Sequence, residues 1–329
     1  MKTTTPPFPC GRSTSTLRRF SLLFRMKHLT GLIAAPHTPF RPDGTLALET
    51  IPLQARLLAH NGVTGAFVCG TTGEGPSLTA DERRQVVEAW LAARPESLKI
   101  IVHVGHLSAH EARAFAQHAQ DRGADAIATV APSFFKPAAM RELVSWCAQV
   151  AAGAPKLPFY YYQIPSMTGV SLSAADFLAA AAPQIPNLAG IKFTFENLMD
   201  FSRATLHDGG KYNVLFGRDE ILLPGLSLGA RGAVGSTYNF AAPLYLRIID
   251  AFNRGDLAAA QRDQSRAIEF IGVLDRHGGL AAGKSAMKLI GVDCGPVRLP
   301  LRALAHSEEA SLRDAFEKIG FFDYACKLP

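Results

Sequence analysis

The chain has 329 residues, 48% hydrophobic and 19% charged, enough for a large core and compatible with a single α/β barrel, which uses about 250 residues. Its net charge is +6, but Lys2, Arg12, Arg18, Arg19 and Arg25 place +5 of that in the first 25 residues, so the rest is nearly neutral and offers no basic stripe to nucleic acid. No apolar run reaches the ~18 residues of a membrane span, and the five scattered cysteines, without CxxC spacing, suit the reduced thiols of a cytoplasmic protein better than disulfides or a zinc site.

Residues 1–25 are rich in Ser, Thr, Pro and Arg and contain no acid. Arg18-Arg19-Phe20 has the outline of a twin-arginine or transit signal, yet the apolar stretch SLLF is too short for export, and Met26 stands just before the first strand. A disordered or mis-started extension is expected there. Eight short apolar runs follow: GLIAAPHTPF from Gly31, GAFVCGTT from Gly65, IIVHVG from Ile100, AIATVAP from Ala126, FYYYQIP from Phe159, AGIKFT from Ala189, NVLFGRD from Asn213 and GAVGST from Gly232. The segments starting at Ala47, Thr79, Ser108, Lys136 and Ser173 repeat their apolar residues every three or four positions and predict helices. Thr79 and Ser173 stand where N-caps belong, and Gly62 and Gly123 where helices stop. Strand alternating with helix predicts an α/β fold, a (β/α)8 TIM barrel over 26–240. Residues 241–329 then hold the last barrel helix and a helical C-terminal extension, with PLYLRIIDAFNRG and LAAAQRDQSRAIEFIGVLDRHG as helices. A doubly wound sheet would need a GxGxxG turn after its first strand, and none is present.

Barrel chemistry collects at the C-terminal ends of strands. The second run leads into Gly70-Thr71-Thr72-Gly73-Glu74-Gly75, whose free N–H groups and two hydroxyls can cradle a carboxylate. In the fifth, alternation puts Tyr160 and Tyr162 on one face and Tyr161 on the other, and a tyrosine at the strand end can relay a proton. The sixth carries Lys192 in the middle of an apolar strand, with Thr194 on the same face and Phe193 turned away. A buried lysine needs either a charged partner or a task, and burial favours the neutral amine that attacks a ketone. A carboxylate cradle, a proton relay and an amine together suit a 2-keto acid enzyme in which a protonated imine is the electron sink.

With GTTGEG at 70–75, YQIPSMTG at 162–169, GIK at 190–192 and GSTYN at 235–239, the chain resembles the N-acetylneuraminate lyase and dihydrodipicolinate synthase superfamily of pyruvate-dependent class I aldolases from about Gly31 to Arg302. Within it, IVHVGHLS, PFYYYQIP, LFGRDE and GAVGSTYN are similar to the lyase branch, especially its animal-type members. The resemblance implies Lys192 as the Schiff-base lysine, Tyr162 as the proton-transferring tyrosine, and Thr71 and Thr72 as binders of the pyruvate carboxylate. It implies Thr194, Gly217, Asp219, Glu220 and Ser236 as contacts to the sugar portion. The activity expected is reversible cleavage of N-acetylneuraminate to N-acetylmannosamine and pyruvate, with no metal or separate cofactor and a homotetrameric assembly. Another keto-acid lyase or sugar-acid dehydratase on the same barrel is the alternative, and a non-catalytic sugar-acid-binding barrel is the alternative of a different class. Met167 stands where the synthase branch carries an arginine, which argues against dihydrodipicolinate synthesis. Ser133-Phe134-Phe135 replaces a tyrosine of the synthases and bacterial lyases.

Overall fold

The computed structural model describes residues 28–329, so the expectation for residues 1–25 and the thiol of Cys10 lie outside it. The strands are β1 (Gly31–Ala34), β2 (Gly65–Val68), β3 (Lys99–His103), β4 (Ala126–Val130), β5 (Phe159–Gln163), β6 (Leu188–Phe193), β7 (Asn213–Phe216) and β8 (Gly232–Gly235). Each pairs in parallel with the next, and β8 returns to β1, closing a (β/α)8 barrel. The helices are α1 (Ile51–His60), α2 (Ala80–Ala93), α3 (Ala109–Asp121), α4 (Met140–Ala151), α5 (Pro165–Thr168), α6 (Ala174–Ala181), α7 (Leu198–Leu206), α8 (Leu222–Ser227) and α9 (Tyr238–Asn253) around the barrel. A helical extension follows as α10 (Leu257–Arg276), α11 (Leu280–Leu289) and α12 (His306–Lys318).

The caps foreseen from sequence form. Thr79 accepts from the Glu82 N–H while Glu82 bonds back to the Thr79 N–H, a full capping box, and Ser173 accepts from the Asp176 N–H. Gly62 and Gly123 follow α1 and α3 at φ 76 and 79, the left-handed turn that ends a helix without a Cβ penalty. Periodicity does not separate α5 and α8 from loops, since at four and six residues they span too few turns to establish a stripe, and α7, nine residues behind its Asn197 N-cap, was also missed. The helix expected from Pro243 starts earlier, at Tyr238, and breaks at Ala241 (φ −133), because Pro243 has no N–H to continue the ladder.

Side chains divide cleanly between two cores. Ile33, Phe67, Ile101, Ala128, Tyr160, Tyr162, Leu215 and Val234 fill the barrel, whereas Tyr161, Phe193 and Phe216 face the helices. Along β6 the alternation is interrupted. Phe159 pairs with Leu188, but Tyr160 pairs with Gly190, leaving Ala189 as an extra residue in a bulge. Ala189 belongs to the interior, Ile191 to the helix-facing core, and Lys192, in register with Tyr162, returns to the interior. Gly190 is required at this point, since a Cβ there would run into the Asn213 backbone.

Candidate active site

Lys192 is 5% exposed, and among the described residues no carboxylate lies within ion-pair distance of it. Its Nζ sits over two aromatic faces, 3.7 Å from the ring centroid of Tyr162 and 4.3 Å from that of Phe67. A charged partner therefore does not account for this lysine. The Tyr162 hydroxyl points toward the neighbouring turn, 3.4 Å from Thr71 Oγ1. Tyr160, two residues earlier on the same face, is used differently: its hydroxyl donates to Asn213 Oδ1 at 2.9 Å and closes the floor of the barrel. Thr72 is buried beside Thr71, and Thr38 Oγ1 donates to the Gly73 carbonyl at 2.6 Å, fixing the turn to the end of β1.

The residues implied as sugar contacts form a second group on β6, β7 and β8. A Cβ on Gly217 would overlap Thr194 Oγ1, so the glycine is what lets this hydroxyl lie flat on the β7 end, and the hydroxyl is buried without a protein partner. Asp219 begins a short 3-10 turn, yet its carboxylate turns away from it to Thr237 at the start of α9. Oδ2 accepts from the Thr237 hydroxyl at 2.6 Å and the Thr237 N–H at 3.1 Å, while Oδ1 is buried, unpartnered, against Gly235. Glu220 lies nearer the rim, 3.6 Å from Arg218, which also pairs with Glu196 at 2.9 Å. Ser236 is half-buried, and its carbonyl accepts from Asn239 Nδ2 at 2.7 Å. Lys192, Tyr162 and Thr71 are thus brought into one cluster, and Thr194, Gly217 and Asp219 into another. Glu220 stands aside with Arg218.

Several residues of this neighbourhood escaped sequence reasoning. His103 on β3 meets the Tyr162 ring edge-on, with centroids 5.9 Å apart, and bonds the Cys69 carbonyl through Nδ1 at 3.0 Å. Because a carbonyl only accepts, Nδ1 carries the proton. Burial, and then the charges of Arg83 and Lys192, hold the imidazole pKa down to about 3, so the ring stays neutral. A polar residue inside the apolar run IIVHVG was its signal, the same signal that singled out Lys192. Glu74 lay within the quoted turn without a role, and its partner Lys284 sits among small residues on α11.

Asp219 has a pKa raised to about 6, chiefly by burial and next by the negative charge of Glu220, with the Thr237 hydrogen bonds and Lys192 opposing. A carboxyl whose pKa is higher folded than unfolded disfavours the fold once ionised. Its cost is absent at low pH and grows as pH rises through the interval from about 4 to 6. Asp219→Asn, neutral and still able to accept from Thr237, is expected to gain on the wild type by about 2 kcal/mol in unfolding free energy between pH 4 and pH 8. Urea unfolding at both pH values checks this, and an unchanged difference between the two proteins would refute it.

Among the described residues no three His, Cys, Asp or Glu side chains gather in a way that could hold a metal ion, and no helix is long and apolar enough to cross a membrane. Comparison with known proteins shows the family. Residues 28–319 match the model of the dihydrodipicolinate synthetase family. The chain is 40% identical over 308 residues to the N-acetylneuraminate lyase of Rattus norvegicus, covering 92% of this chain and 96% of that protein. It is likewise 40% identical to the Homo sapiens N-acetylneuraminate lyase, over 89% of this chain and 94% of that one. Among solved structures, the Proteus mirabilis N-acetylneuraminate lyase superposes with a TM-score of 0.88 at 44% identity, covering 90% of this chain and all 100% of the other.

Proposed function

The chain belongs to the dihydrodipicolinate synthetase family, and on that premise we propose that it is a carbon–carbon lyase, a class I aldolase that reversibly cleaves N-acetylneuraminate to N-acetylmannosamine and pyruvate. The observation that carries the mechanism is the pairing of β5 with β6, which sets Tyr162 level with Lys192 and puts the amine over the phenol ring, with no carboxylate at ion-pair distance among the described residues. Neutral Lys192 attacks C2 of the open-chain sugar acid and loses water to give an imine, while Thr71 and Thr72 orient the substrate carboxylate. Tyr162, or the substrate's own carboxylate, takes the proton from the C4 hydroxyl as the C3–C4 bond breaks. The bonding electrons flow into the protonated imine, the aldehyde leaves, and the remaining enamine is protonated at C3 and hydrolysed to pyruvate. The imine is the electron sink, so the reading calls for no other cofactor.

Thr194, Gly217, Asp219, Glu220 and Ser236 would meet the sugar portion from the ends of β6, β7 and β8. The unpartnered hydroxyl of Thr194 and the unpartnered Oδ1 of Asp219 support this, because buried polar atoms left open in the free protein are the ones a polyol can satisfy. Met167, 63% exposed and uncharged, offers nothing to the second carboxylate that a synthase must bind. Asp219→Ala and Glu220→Ala are expected to lower kcat/KM for N-acetylneuraminate by about 10- to 100-fold each, the size of a lost hydrogen bond to a charged group, with pyruvate imine formation nearly intact. Pyruvate release measured over a panel of sialic and aldonic keto acids tests the substrate class; cleavage of an aldonic keto acid in preference to every sialic acid would overturn it.

We place the enzyme in the cytoplasm as a homotetramer. Four buried free thiols, Cys69, Cys147, Cys294 and Cys326, suit a reducing compartment. Phe134 and Phe135, 75% and 85% exposed after β4, are apolar surface of the kind that subunit contacts cover.

A further inference from the structure

The turn that carries Thr71 and Thr72 is bounded by two residues, neither of them glycine, in the left-handed region, Cys69 at φ 57 and Glu74 at φ 51. Such conformations persist only where the surroundings impose them. Cys69 is held by the bond from His103 Nδ1 to its carbonyl. Glu74 is held from a distant part of the chain. Its Oε1 lies 2.8 Å from Lys284 Nζ, a Coulombic contact without hydrogen-bond alignment, and its Oε2 accepts the Arg298 N–H at 2.8 Å. The two side chains of the pair are 1% and 3% exposed. Lys284 Nζ donates in addition to the Pro296 carbonyl at 2.7 Å, and the Arg298 guanidinium bonds Glu82, the Ser77 carbonyl and the Gly44 carbonyl. Helix α11 and the strap 296–298 are thereby fastened to the end of β2.

We propose that Glu74 and Lys284 are positioning residues, through which the C-terminal extension sets the shape and the charge of the carboxylate cradle. The inference rests on the reading of Thr71 and Thr72 as that cradle. Shape follows from the tether, since a Glu74 released from Lys284 no longer enforces its left-handed backbone. Charge follows from neutralisation. Glu74 is two residues from Thr72, and without Lys284 it would be a buried anion left with only the Arg298 N–H and the charge of the Arg298 guanidinium, beside a pocket that has to receive another anion.

The test compares wild type, Glu74→Gln/Lys284→Met and Lys284→Met by two readouts: the pyruvate concentration giving half-maximal borohydride trapping at Lys192, and amide hydrogen exchange across the chain. The double variant removes both charges, keeps an acceptor for the Arg298 N–H, and is the form that folds if Lys284→Met does not. Half-saturation is expected to rise about 10-fold in the double variant and about 100-fold in Lys284→Met, where the lone anion adds to the lost geometry. Exchange should quicken over residues 70–75 in both, with β3–β6 protected as in the wild type. Wild-type half-saturation and exchange in the double variant overturn the proposal, and so does protection lost evenly through the barrel, the mark of a pair that only stabilises. If wild-type Lys192 takes no label, the reading of the reaction falls, and the exchange over 70–75 alone decides on the tether.

Discussion

Borohydride reduction in the presence of pyruvate is expected to attach a pyruvate-derived group to Lys192 and stop turnover. Borohydride turns free pyruvate into lactate, but only reduction of an imine leaves a stable carbon–nitrogen link to the protein, and Lys192 is the amine over the Tyr162 ring, with no carboxylate at ion-pair distance among the described residues. Lys192→Ala should fold, because it removes a side chain that makes no ion pair among the described residues, and should lose on the order of 10⁴-fold or more in kcat, as enzymes do when their nucleophile is deleted. Lys192→Arg should fare no better, since a guanidinium stays protonated. Mass spectrometry of the reduced protein reads the outcome directly. Label on another lysine would remove Lys192 from the mechanism.

Tyr162→Phe is expected to lower kcat by about 10²- to 10⁴-fold, the usual worth of general acid–base help, with little change in packing. The ring stays under Lys192 and only the hydroxyl facing Thr71 goes. Pyruvate should therefore still form its imine, and the loss should fall on cleavage of the sugar acid. Tyr160→Phe is the matched comparison: its hydroxyl bonds Asn213, so the variant should lose about 1 kcal/mol of stability and keep turnover. Equal kcat in the wild type and Tyr162→Phe would return Tyr162 to the role of a core aromatic.

The eight strands were legible because a barrel buries both faces of each, so each reads as an apolar run between polar turns. Capped helices were legible because a cap is a local arrangement, as at Thr79 and Ser173. Lys192 stood out for a related reason, being a charge in a segment otherwise apolar. Contacts between distant parts of the chain were not legible. Glu74 and Lys284 belong to β2's turn and to α11, and nothing in either local pattern records the other. The same holds for Asp219, whose pairing with Thr237 across the ends of β7 and β8 appears only when the barrel closes. The resemblance implied Asp219 as a sugar contact; the carboxylate anchors the beginning of α9 with one oxygen, a task no local pattern announced, and leaves the other open.

The bulge at Ala189 makes the count of residues in β6 as consequential as their identity. Leu188 faces the helices, and strict alternation from it would send Lys192 outward as well; the supernumerary residue reverses that parity and turns the lysine into the barrel beside Tyr162. A relative one residue shorter between Leu188 and Ile191 would need no bulge, because plain alternation from Leu188 would then carry its lysine inward. A relative of the present length whose β6 ran flat would instead have its amine among the helices and an isoleucine in the barrel, and its alignment would keep every motif without a gap to record the loss.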